Sequence, residues 1–376
     1  MPIPATQIGD LHDFAKEKEC FTIVGPEAPL ADGIVDEFTG EGLPIFGPTA
    51  AEARLETSKV YAKEFMKSHD IPTADFRVFG DVEGALDYSA RIQGNVVVKA
   101  DGLAAGKGVF VCSSMDEAET AIRSILEKKI FGRSGEKIVI EKKLRGREAS
   151  FLFLSDGRRT VDFGTAVDHK RVFDGDKGPN TGGMGAFSPA PLIMVDQLGQ
   201  IRERIVQPVI QHTGFRGFLY VGLMFDKAYS PQVLEFNVRL GDPEAQVILP
   251  RLETDLVGML TCVSDKGADG LELDWGVASS CGVVMCSEGY PEHPRTGDLI
   301  NGISDASATN DLLVFHSGTS AEDGSFFTNG GRVLTVTGVG SSRGEAAKRA
   351  YEGVSLISWR GEHHRADIGS PGVASS

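Results

Sequence analysis

The segment Val233–Glu244 reads VLEFNVRLGDPE, in which apolar and polar residues alternate. Successive side chains of a β-strand point to opposite faces, so this alternation predicts a strand with one apolar and one polar face. The polar face would present an acid, an amide and a guanidinium together on a rigid element. The predicted apolar face holds Leu234, Phe236, Val238 and Leu240, and the predicted polar face holds Glu235, Asn237 and Arg239.

The predicted polar side of this strand combines residue types that suit a magnesium nucleotide. Glu235 and Asn237 offer hard oxygen ligands, of which Mg²⁺ takes only a few from protein because water and phosphate fill its other positions. Arg239 can stabilise the charge that develops on a transferring phosphoryl or acyl group. The alternative is a solvent-facing strand with an ordinary row of charges, because polar-outward alternation is common in antiparallel sheets.

A glycine-rich loop lies upstream, in the segment Val96–Val109 (VVVKADGLAAGKGV). Its spacing differs from that of a P-loop, which has four residues between its glycines and a Ser or Thr after the lysine. The loop connects two predicted strands and so suits a flap over a nucleotide, with backbone N–H groups and Lys107 reaching the phosphates. Lys99 would add a second positive charge. A flexible turn without a ligand is the alternative.

The segment Asp168–Pro189 (DHKRVFDGDKGPNTGGMGAFSP) joins charged residues to a second glycine-rich loop. Its basic residues would form a dense positive spot, its glycines leave backbone amides free to approach an anion, and Asp168 can hold an ammonium group. A solvated charge run and an ordered surface loop are the alternative interpretations. The basic residues are His169, Lys170 and Arg171, and the glycines are Gly182, Gly183 and Gly185.

A predicted strand ends in the polar segment Glu141–Glu148 (EKKLRGRE). Such a hinge can pair its backbone with the edge of a base and its carboxylate with ribose hydroxyls. Taken alone, this segment does not indicate a function.

The beginning of the chain alternates short apolar strands with helices, which predicts a parallel sheet whose ligand sites lie at the strand carboxyl ends. The predicted strands Phe21–Val24 and Ile45–Phe46 each stop at a Gly-Pro pair, and one long helix is predicted over Ala50–His69. Beyond a polar stretch at 265–276, strand-like segments and a helix over Ala346–Ile357 predict a separate α+β unit. The predicted fold class is α/β and α+β.

Composition excludes several classes of protein. The 376 residues include 38 Lys+Arg and 53 Asp+Glu, for a net charge of −15, so neither nucleic acid nor an anionic membrane surface is an expected partner. No apolar run is long enough for a spanning helix, and the beginning lacks the pattern of a secretory signal. The five cysteines are scattered, which favours reduced thiols in a cytoplasmic protein.

These motifs resemble the phosphoribosylamine–glycine ligase family of ATP-grasp enzymes, in family order and over nearly the whole chain. The resemblance implies an ATP-grasp fold with a Rossmann-like N-terminal domain over 1–58, an ATP-grasp domain over 59–270 and a small C-terminal α+β domain over 277–376, with a mobile lid at about 75–143. The segments that carry it are TIVGPEAPL, FGPTA, SKVYAKEFM, VVKADGLAAGKGV, DHKR, GPNTGGMGAFSPAP, LEFNVRLGDPE, TNGGRVLTVT and HRADIG.

The resemblance also implies an activity. Enzymes of this family use ATP to join glycine to 5-phosphoribosylamine through glycyl phosphate, giving glycinamide ribonucleotide, ADP and phosphate in de novo purine biosynthesis, the pathway to IMP. ATP and Mg²⁺, or Mn²⁺, are the implied cofactors. An ATP-grasp ligase for another carboxylate and amine, and a form that at most binds ATP, are the alternatives.

Carried over residue by residue, the resemblance implies four groups of site residues. The nucleotide-binding residues are Lys59, Lys99, Gly106, Lys107, Gly108, Glu141, Leu144 and Glu148. The substrate-binding residues are Gly25, Pro26, Glu27, Asp168, His169, Lys170, Arg171, Gly182, Gly183 and Asp242. The metal ligands are Glu235 and Asn237, and the catalytic residues are Arg239, Asp168 and Lys107.

The sequence departs from the family pattern in three places. The family opens with a strand and a G-x-G-G-R-E-H-A loop that this sequence does not contain, so we expect a truncated N-terminal domain. The hinge has Lys142 and Arg147 where the family has acids, which matters little if backbone atoms contact the adenine. The tail after Gly369 does not follow the usual ending, and the resemblance leaves open that the unit is part of a longer multifunctional polypeptide.

Overall fold

The structure is a computed structural model that describes residues 3–104, 106–191 and 195–370. Ala105 of the predicted flap and residues 371–376 of the divergent tail therefore lie outside the described residues. None of the described helices is long and apolar enough to cross a membrane.

The N-terminal segment contains a parallel pair of short strands, as the sequence predicts. Thr22 pairs with Ile45 and Ile23 with Phe46, and each strand is followed by its Gly-Pro turn. Leu30 and Phe38 from the flanking helices are fully buried and fix this segment on the main core. The elements are α1 (Ile8–Lys18), β1 (Thr22–Ile23), α2 (Glu27–Ala31), α3 (Ile34–Gly40) and β2 (Ile45–Phe46).

The predicted single helix over Ala50–His69 is wrong, because two helices, α4 (Ala50–Thr57) and α5 (Lys59–Ser68), occupy this range. Ser58 between them is extended, with φ −134° and ψ 110°, and its side chain accepts the N–H of Tyr61 as the N-cap of α5. The Ser58 hydroxyl also donates to the Asp101 carboxylate at 2.8 Å. A capping serine with a distant partner therefore ends one helix and starts the next.

The predicted lid region forms a separate antiparallel sheet of order β3-β6-β4-β5. Its apolar face packs against two helices through Val98, Ile122, Ile125 and Ile140, all of which are fully buried. The elements are β3 (Phe76–Phe79), α6 (Val82–Arg91), β4 (Val96–Ala100), β5 (Val109–Val111), α7 (Met115–Leu126), a 3-10 turn (Gly132–Gly135) and β6 (Ile138–Lys142).

A large antiparallel sheet of eight strands, in the order β13-β12-β7-β8-β11-β14-β19-β16, forms the body. It begins with the edge strand β13 (Pro231–Asn237) and continues through β12 (Arg216–Phe225), β7 (Arg147–Asp156), β8 (Thr160–Asp168) and β11 (Gly185–Ser188). The predicted hairpin is confirmed, because β12 pairs antiparallel with β13. The small hairpin β9 (Arg171–Phe173) and β10 (Lys177–Asn180) precedes β11.

Helices cover both faces of this sheet. One face packs against the N-terminal helices and a helical stretch made of α8 (Val195–Ile201), a π-helical turn (Arg202–Val206) and α9 (Gln207–Thr213). The other face packs through Leu152 and Phe218 against α10 (Ala245–Ile248) and α11 (Leu256–Lys266), with a 3-10 turn (Leu249–Arg251) between them. Because both faces of the sheet carry buried apolar side chains, the sheet lies in the centre of the core.

The C-terminal strands continue the same sheet. β11 pairs with β14, where Phe187 lies opposite Cys281, so hydrogen bonding passes without a break from the central strands to the last ones. The predicted α+β character of this region is confirmed, and its boundary at 270–277 stays a prediction. The elements are β14 (Ser279–Cys286), β15 (Leu299–Ile300), α12 (Ile303–Ser307), β16 (Leu312–His316), β17 (Thr319–Glu322), β18 (Ser325–Thr328), β19 (Arg332–Gly340) and α13 (Arg343–Val354).

Candidate functional site

Three neighbouring strands of the large sheet place polar residues on one face, beyond the part covered by α10 and α11. Directly opposed residues of antiparallel strands share a face. Ser150 of β7 lies opposite Gly222 of β12, which lies opposite Glu235 of β13, and Tyr220 lies opposite Asn237. Glu235 and Asn237 therefore share this face, as the sequence predicts.

Strand β8 adds an acid to this face. Ala166 lies opposite Ser150, so Asp168, two residues further along, points the same way as Glu148 on β7. The face thus carries acids from three different strands, which brings together sequence motifs that are far apart in the chain. We call this group of residues, Glu148, Asp168, Glu235 and Asn237, the polar face.

The predicted apolar face of β13 is wrong at Leu234. The register shifts so that Gly222 pairs with Glu235 while Leu223 pairs with Val233, which leaves Leu234 unpaired in a bulge. A bulge adds one residue and changes which side chains share a face. Val233 therefore points with Phe236 into the core, whereas the carbonyl of Leu234 accepts a hydrogen bond from Lys99 Nζ at 3.0 Å.

Lys170 provides the positive charge on the polar face. Its Nζ lies 3.5 Å from Glu148 Oε2 and 3.9 Å from Glu235 Oε1. Burial acts to raise the pKa of Glu235, but Lys170, Lys59, Lys99 and Arg239 outweigh it and lower that pKa to about 2. Burial alone would lower the pKa of Lys170, yet its acidic neighbours raise it well above the usual value. Both groups are therefore charged at neutral pH.

Arg239 is held by two acids from the N-terminal part of the chain. Its Nη2 lies 2.7 Å from Glu56 Oε1, and its Nε lies 3.3 Å from Glu27 Oε2. Its Nη1 donates to the Leu240 carbonyl at 3.0 Å. The sequence predicts Arg239 on the same polar face as Glu235, and the structure places it just beyond the end of β13, within reach of the charge of Glu235.

Asp168 is the acid with the least compensation. Its Oδ1 is buried and has no hydrogen-bond partner among the residues that the structure describes. Burial, and next the charge of Glu244, raise the pKa of Asp168 well above its usual value, although Lys170 opposes this. A Cβ built on Gly183 would lie 2.9 Å from this oxygen and 2.5 Å from Pro243 Cδ, so only glycine fits there. An unpartnered carboxyl beside a glycine loop can accept an ammonium group.

The glycine loop is fastened by the C-terminal region. Arg332 on β19 donates to the Gly182 carbonyl at 2.9 Å and pairs with the Asp242 carboxylate at 2.9 Å. The Tyr290 hydroxyl accepts the N–H of Gly182 at 3.1 Å. Asp242, predicted as a substrate residue, is thus bound to Arg332, which sequence reasoning did not single out although it lies in TNGGRVLTVT.

The predicted basic spot is wrong as a cluster of three cations, because the side chains diverge. Only Lys170 reaches the polar face. His169 is 2% exposed, and burial together with Arg365 lowers its pKa to about 4, so it is neutral. Arg171 turns to the Gly178 carbonyl, with an Nη1–O distance of 2.7 Å. Adjacent residues at the end of a strand point in different directions. A run of charges in the sequence does not show these directions.

A second group of charges lies between α5 and the lid sheet. Lys63, Lys99 and Glu141 are 2%, 5% and 2% exposed, and both lysine Nζ atoms contact Glu141 Oε1, at 3.1 Å and 3.0 Å. We call these three residues the buried triad. They line one narrow pocket together with Lys59, Leu234 and Glu235. Sequence reasoning missed Lys63, although it lies four residues after Lys59 and therefore on the same helix face.

The flap of the lid approaches the glycine loop. Lys107 is exposed and has no ion-pair partner in the described part of the chain, whereas a Cβ built on Gly106 would lie 3.9 Å from Gly182 Cα. A Cβ on Gly108 would lie 2.7 Å from Ala104 Cβ, so this turn requires glycine. The two glycine-rich loops, distant in sequence, therefore lie next to each other.

The remaining predicted residues lie around these groups. Leu144 is half-buried in the connection between β6 and β7, where the hinge is expected. Gly25 and Pro26 are exposed beside α2, and Glu27 contacts Arg239. Sequence reasoning also missed Glu56 and the buried Tyr220, whose hydroxyl donates to Glu244 at 2.9 Å.

The donor set on β13 fits a divalent metal bound with a polyphosphate. Glu235 supplies a charged carboxylate and Asn237 an amide oxygen on the same face, and hard cations bind such oxygens. No group of three or more His, Cys, Asp or Glu in the described ranges could hold a metal ion by itself. A metal here would therefore depend on phosphate and water for its other ligands, as expected for a site that binds a metal nucleotide.

Comparison with known proteins identifies the family. Residues 1–56, 57–245 and 280–371 match the N domain, the ATP-grasp (A) domain and the C domain of phosphoribosylglycinamide synthetase. A phosphoribosylamine–glycine ligase from Vibrio parahaemolyticus is 47% identical over 378 residues, covering 99% of this chain and 88% of that protein.

Solved structures give the same result. The crystal structure of phosphoribosylamine–glycine ligase from Thermotoga maritima is 34% identical, with a TM-score of 0.77, and the match covers 92% of this chain and 85% of that one. A biotin carboxylase from Campylobacter jejuni, 16% identical with a TM-score of 0.73 over 94% of this chain and 79% of that one, shares the fold alone. The predicted family and the predicted ATP-grasp fold are confirmed. The chain belongs to the phosphoribosylglycinamide synthetase family.

Proposed function

We propose that this chain is an ATP-dependent ligase that joins glycine to 5-phosphoribosylamine, giving glycinamide ribonucleotide, ADP and phosphate in purine biosynthesis. Membership of the family supports this activity. The single observation that carries it within the molecule is the shared position of Asp168 and Glu235 on the polar face. One acid suits an ammonium group and the other suits a metal nucleotide, so both reactants can meet there.

The chemistry requires two anions to approach each other. The γ-phosphoryl group of ATP is transferred to a carboxylate oxygen of glycine, which releases ADP and forms glycyl phosphate. The amine of phosphoribosylamine then attacks the acyl carbon, phosphate leaves, and an amide bond forms. Two unit charges about 4 Å apart repel each other by about 4 kcal/mol at an effective dielectric of 20, so cations are needed at the meeting point.

The chain supplies those cations from separate elements. Lys59, Lys99 and Arg239 all act on the Glu235 carboxylate, and Lys170 lies on the same face. In this proposal Lys59, Lys99, Lys107 and the flap glycines bind the phosphates, while Glu141, Leu144 and Glu148 bind the nucleoside. Arg239 stabilises the transferring group.

The substrates would lie on either side of this nucleotide. Asp168 binds the glycine ammonium, and Gly182 and Gly183 bind its activated carboxylate with backbone amides. The phosphoribosyl group lies toward Gly25, Pro26 and Glu27, after the carboxyl end of β1. Asp242 and the segment 169–171, which includes Lys170, lie nearby in this proposal.

Glu235 and Asn237 would hold the divalent metal, Mg²⁺ or Mn²⁺. When bound, this ion neutralises phosphate charge and orients the polyphosphate. To identify the metal, the protein is treated with a chelator, Mg²⁺ or Mn²⁺ is added back separately, and ADP release is measured with each.

The experiment is an ADP-release assay with glycine and phosphoribosylamine added separately and together. Full ADP release only when both are present, with glycinamide ribonucleotide identified by mass spectrometry, is the expected result. ADP release that needs a different carboxylate or amine from a panel would overturn the substrate assignment. ATP binding without product from any pair would overturn the ligase activity.

A further inference from the structure

The buried triad contains two cations and only one anion. Lys63 from α5 and Lys99 from β4 share a single oxygen, Glu141 Oε1, at 3.1 Å and 3.0 Å. Two ammonium groups and one carboxylate leave a net charge of +1 in a nearly dry environment. Buried charge is stabilised only by partners, so an excess of this kind indicates a use for it.

Both lysines are tied to consecutive residues of the β13 bulge. Lys99 Nζ donates to the Leu234 carbonyl at 3.0 Å. Lys63 Nζ donates to Thr73 Oγ1 at 2.6 Å, and that hydroxyl donates to the Val233 carbonyl at 2.6 Å. The next residue in the strand is Glu235. The triad therefore connects the lid sheet, α5 and the strand that carries the predicted metal ligands.

Lys99 keeps N–H donors for a ligand. An ammonium group has three donors, and in the described structure one of those of Lys99 is directed at the Leu234 carbonyl. Glu141 Oε1 lies 3.0 Å from Lys99 Nζ as an ion-pair partner that receives no hydrogen bond within the described ranges. With Glu141 as its sole charged partner, Lys99 would be neutralised. Because Glu141 is shared with Lys63, the positive charge of Lys99 is only partly cancelled.

We propose that Lys63 is a positioning residue for nucleotide binding: by sharing the Glu141 carboxylate it leaves Lys99 with part of its positive charge, and so with N–H donors that attract a phosphate oxygen. This inference rests on the proposed nucleotide site and assigns to Lys63 a role that acts through Lys99. Lys63 itself is directed at Thr73 Oγ1 and Glu141, so it acts on the phosphate through Lys99.

The role also predicts a pH dependence. The groups that face Lys63 are Glu141, Lys99 and Glu235, with Lys59 in the same pocket. Burial, opposed by Glu141 and reinforced by Lys99, lowers the pKa of Lys63 to about 8. Above that pH Lys63 loses its charge, Glu141 pairs with Lys99 alone, and nucleotide affinity should fall.

The test is calorimetric titration of the full chain with MgATP at several pH values from 7 to 9.5. The variants are Lys63→Met and Lys63→Arg, with Lys67→Met as a matched control, because Lys67 lies one turn further along the same helix and is exposed. At pH 7, Lys63→Met should raise the Kd about tenfold, and Lys67→Met should leave it within about twofold. In turnover, the KM for ATP should rise far more than kcat falls.

Lys63→Arg separates charge from packing. The guanidinium stays protonated, so this variant should bind ATP at pH 7 within about threefold of the wild type and should lack the loss of affinity above pH 8. Equal Kd values for Lys63→Met and Lys67→Met would overturn the inference. If Lys63→Met does not fold, the test is the loss of ATP affinity above pH 8. An identical loss in the wild type and in Lys63→Arg would then overturn the inference. Wild-type protein that binds ATP but forms no product would contradict the proposed function. The Kd values of the variants would still test the role of Lys63, because they do not depend on turnover.

Discussion

The guanidinium of Arg239 and the carboxylate of Glu56 form a buried ion pair, with Nη2 and Oε1 2.7 Å apart. The other oxygen of Glu56 accepts the N–H of Val238 at 2.7 Å. Both oxygens are thus used to fix the segment that follows β13. Because Glu56 lies at the end of α4, the break at Ser58 decides where this acid lies relative to Arg239.

Glu56→Gln should lower kcat with little change in ATP affinity. The amide can keep the bond to Val238 but loses the charge that holds Arg239, so the guanidinium is less well oriented toward the transferring group. We expect a loss of about tenfold or more in kcat, and lower stability, since breaking a buried pair costs about 3–5 kcal/mol. Steady-state kinetics and thermal unfolding measure the two effects. Glu64→Gln on the exposed face of α5 is the control, and equal kinetics for both variants would contradict the role.

Glu235→Ala should abolish most turnover by removing a metal ligand. We expect kcat to fall about a hundredfold, because even outer partners of a metal site change activity by about 10–100-fold. Chelation of the wild type should have a similar effect, which excess Mg²⁺ reverses. The measurement is ADP release against metal concentration, with Gln232→Ala on the same strand as the control. Metal dependence that is unchanged in Glu235→Ala would remove the assignment.

Glycine binding should tighten as the pH rises through the raised pKa of Asp168. Burial and the charge of Glu244 raise the pKa of Asp168 well above its usual value, so the carboxylate that pairs with the glycine ammonium forms only at higher pH. The KM for glycine should fall by up to about tenfold per pH unit below that pKa. His169 does not contribute, because its pKa of about 4 keeps it neutral throughout.

The measurement is the KM for glycine between pH 6 and 8.5 at saturating ATP. Asp168→Asn should bind glycine weakly at every pH and show no such trend. A trend that survives in Asp168→Asn would assign the titration to another group.

Gly183→Ala should weaken glycine use and spare ATP binding. A methyl group there would lie 2.9 Å from Asp168 Oδ1 and 2.5 Å from Pro243 Cδ, and the φ of +116° disfavours any side chain. We expect kcat/KM for glycine to fall about a hundredfold, as for a small displacement in a reacting site. Gly199→Ala is the matched control, because nothing lies within 4 Å of its added carbon. Equal glycine kinetics in the two variants would exclude a close approach at Gly183.

Several parts of the site could be predicted from sequence because they depend on local periodicity. The alternation in VLEFNVRLGDPE places Glu235 and Asn237 on one face, and the structure agrees. The Gly-Pro pairs at Gly25 and Gly47 mark the ends of the parallel strands correctly. The family resemblance came from motifs long enough to identify the fold, which the comparisons confirm.

Other parts depend on contacts between distant segments. Leu234 does not lie on the predicted face, because pairing with β12 creates the bulge. The periodicity of one strand contains no information about its pairing with another strand, so it could not predict the bulge. The side chains of His169, Lys170 and Arg171 diverge because each finds a different partner. Glu56 and Arg332 became visible only through the cations and anions they contact.

The sequence by itself determined the fold class, the chemical types of the site residues and the family, because these follow from order and spacing along the chain. Only the tertiary structure decided which charges are shared, which are neutral and which stay free. The reason is that a charge in a protein is set by its neighbours in space: Glu141 is divided between Lys63 and Lys99, and those neighbours are 78 and 42 residues away along the chain.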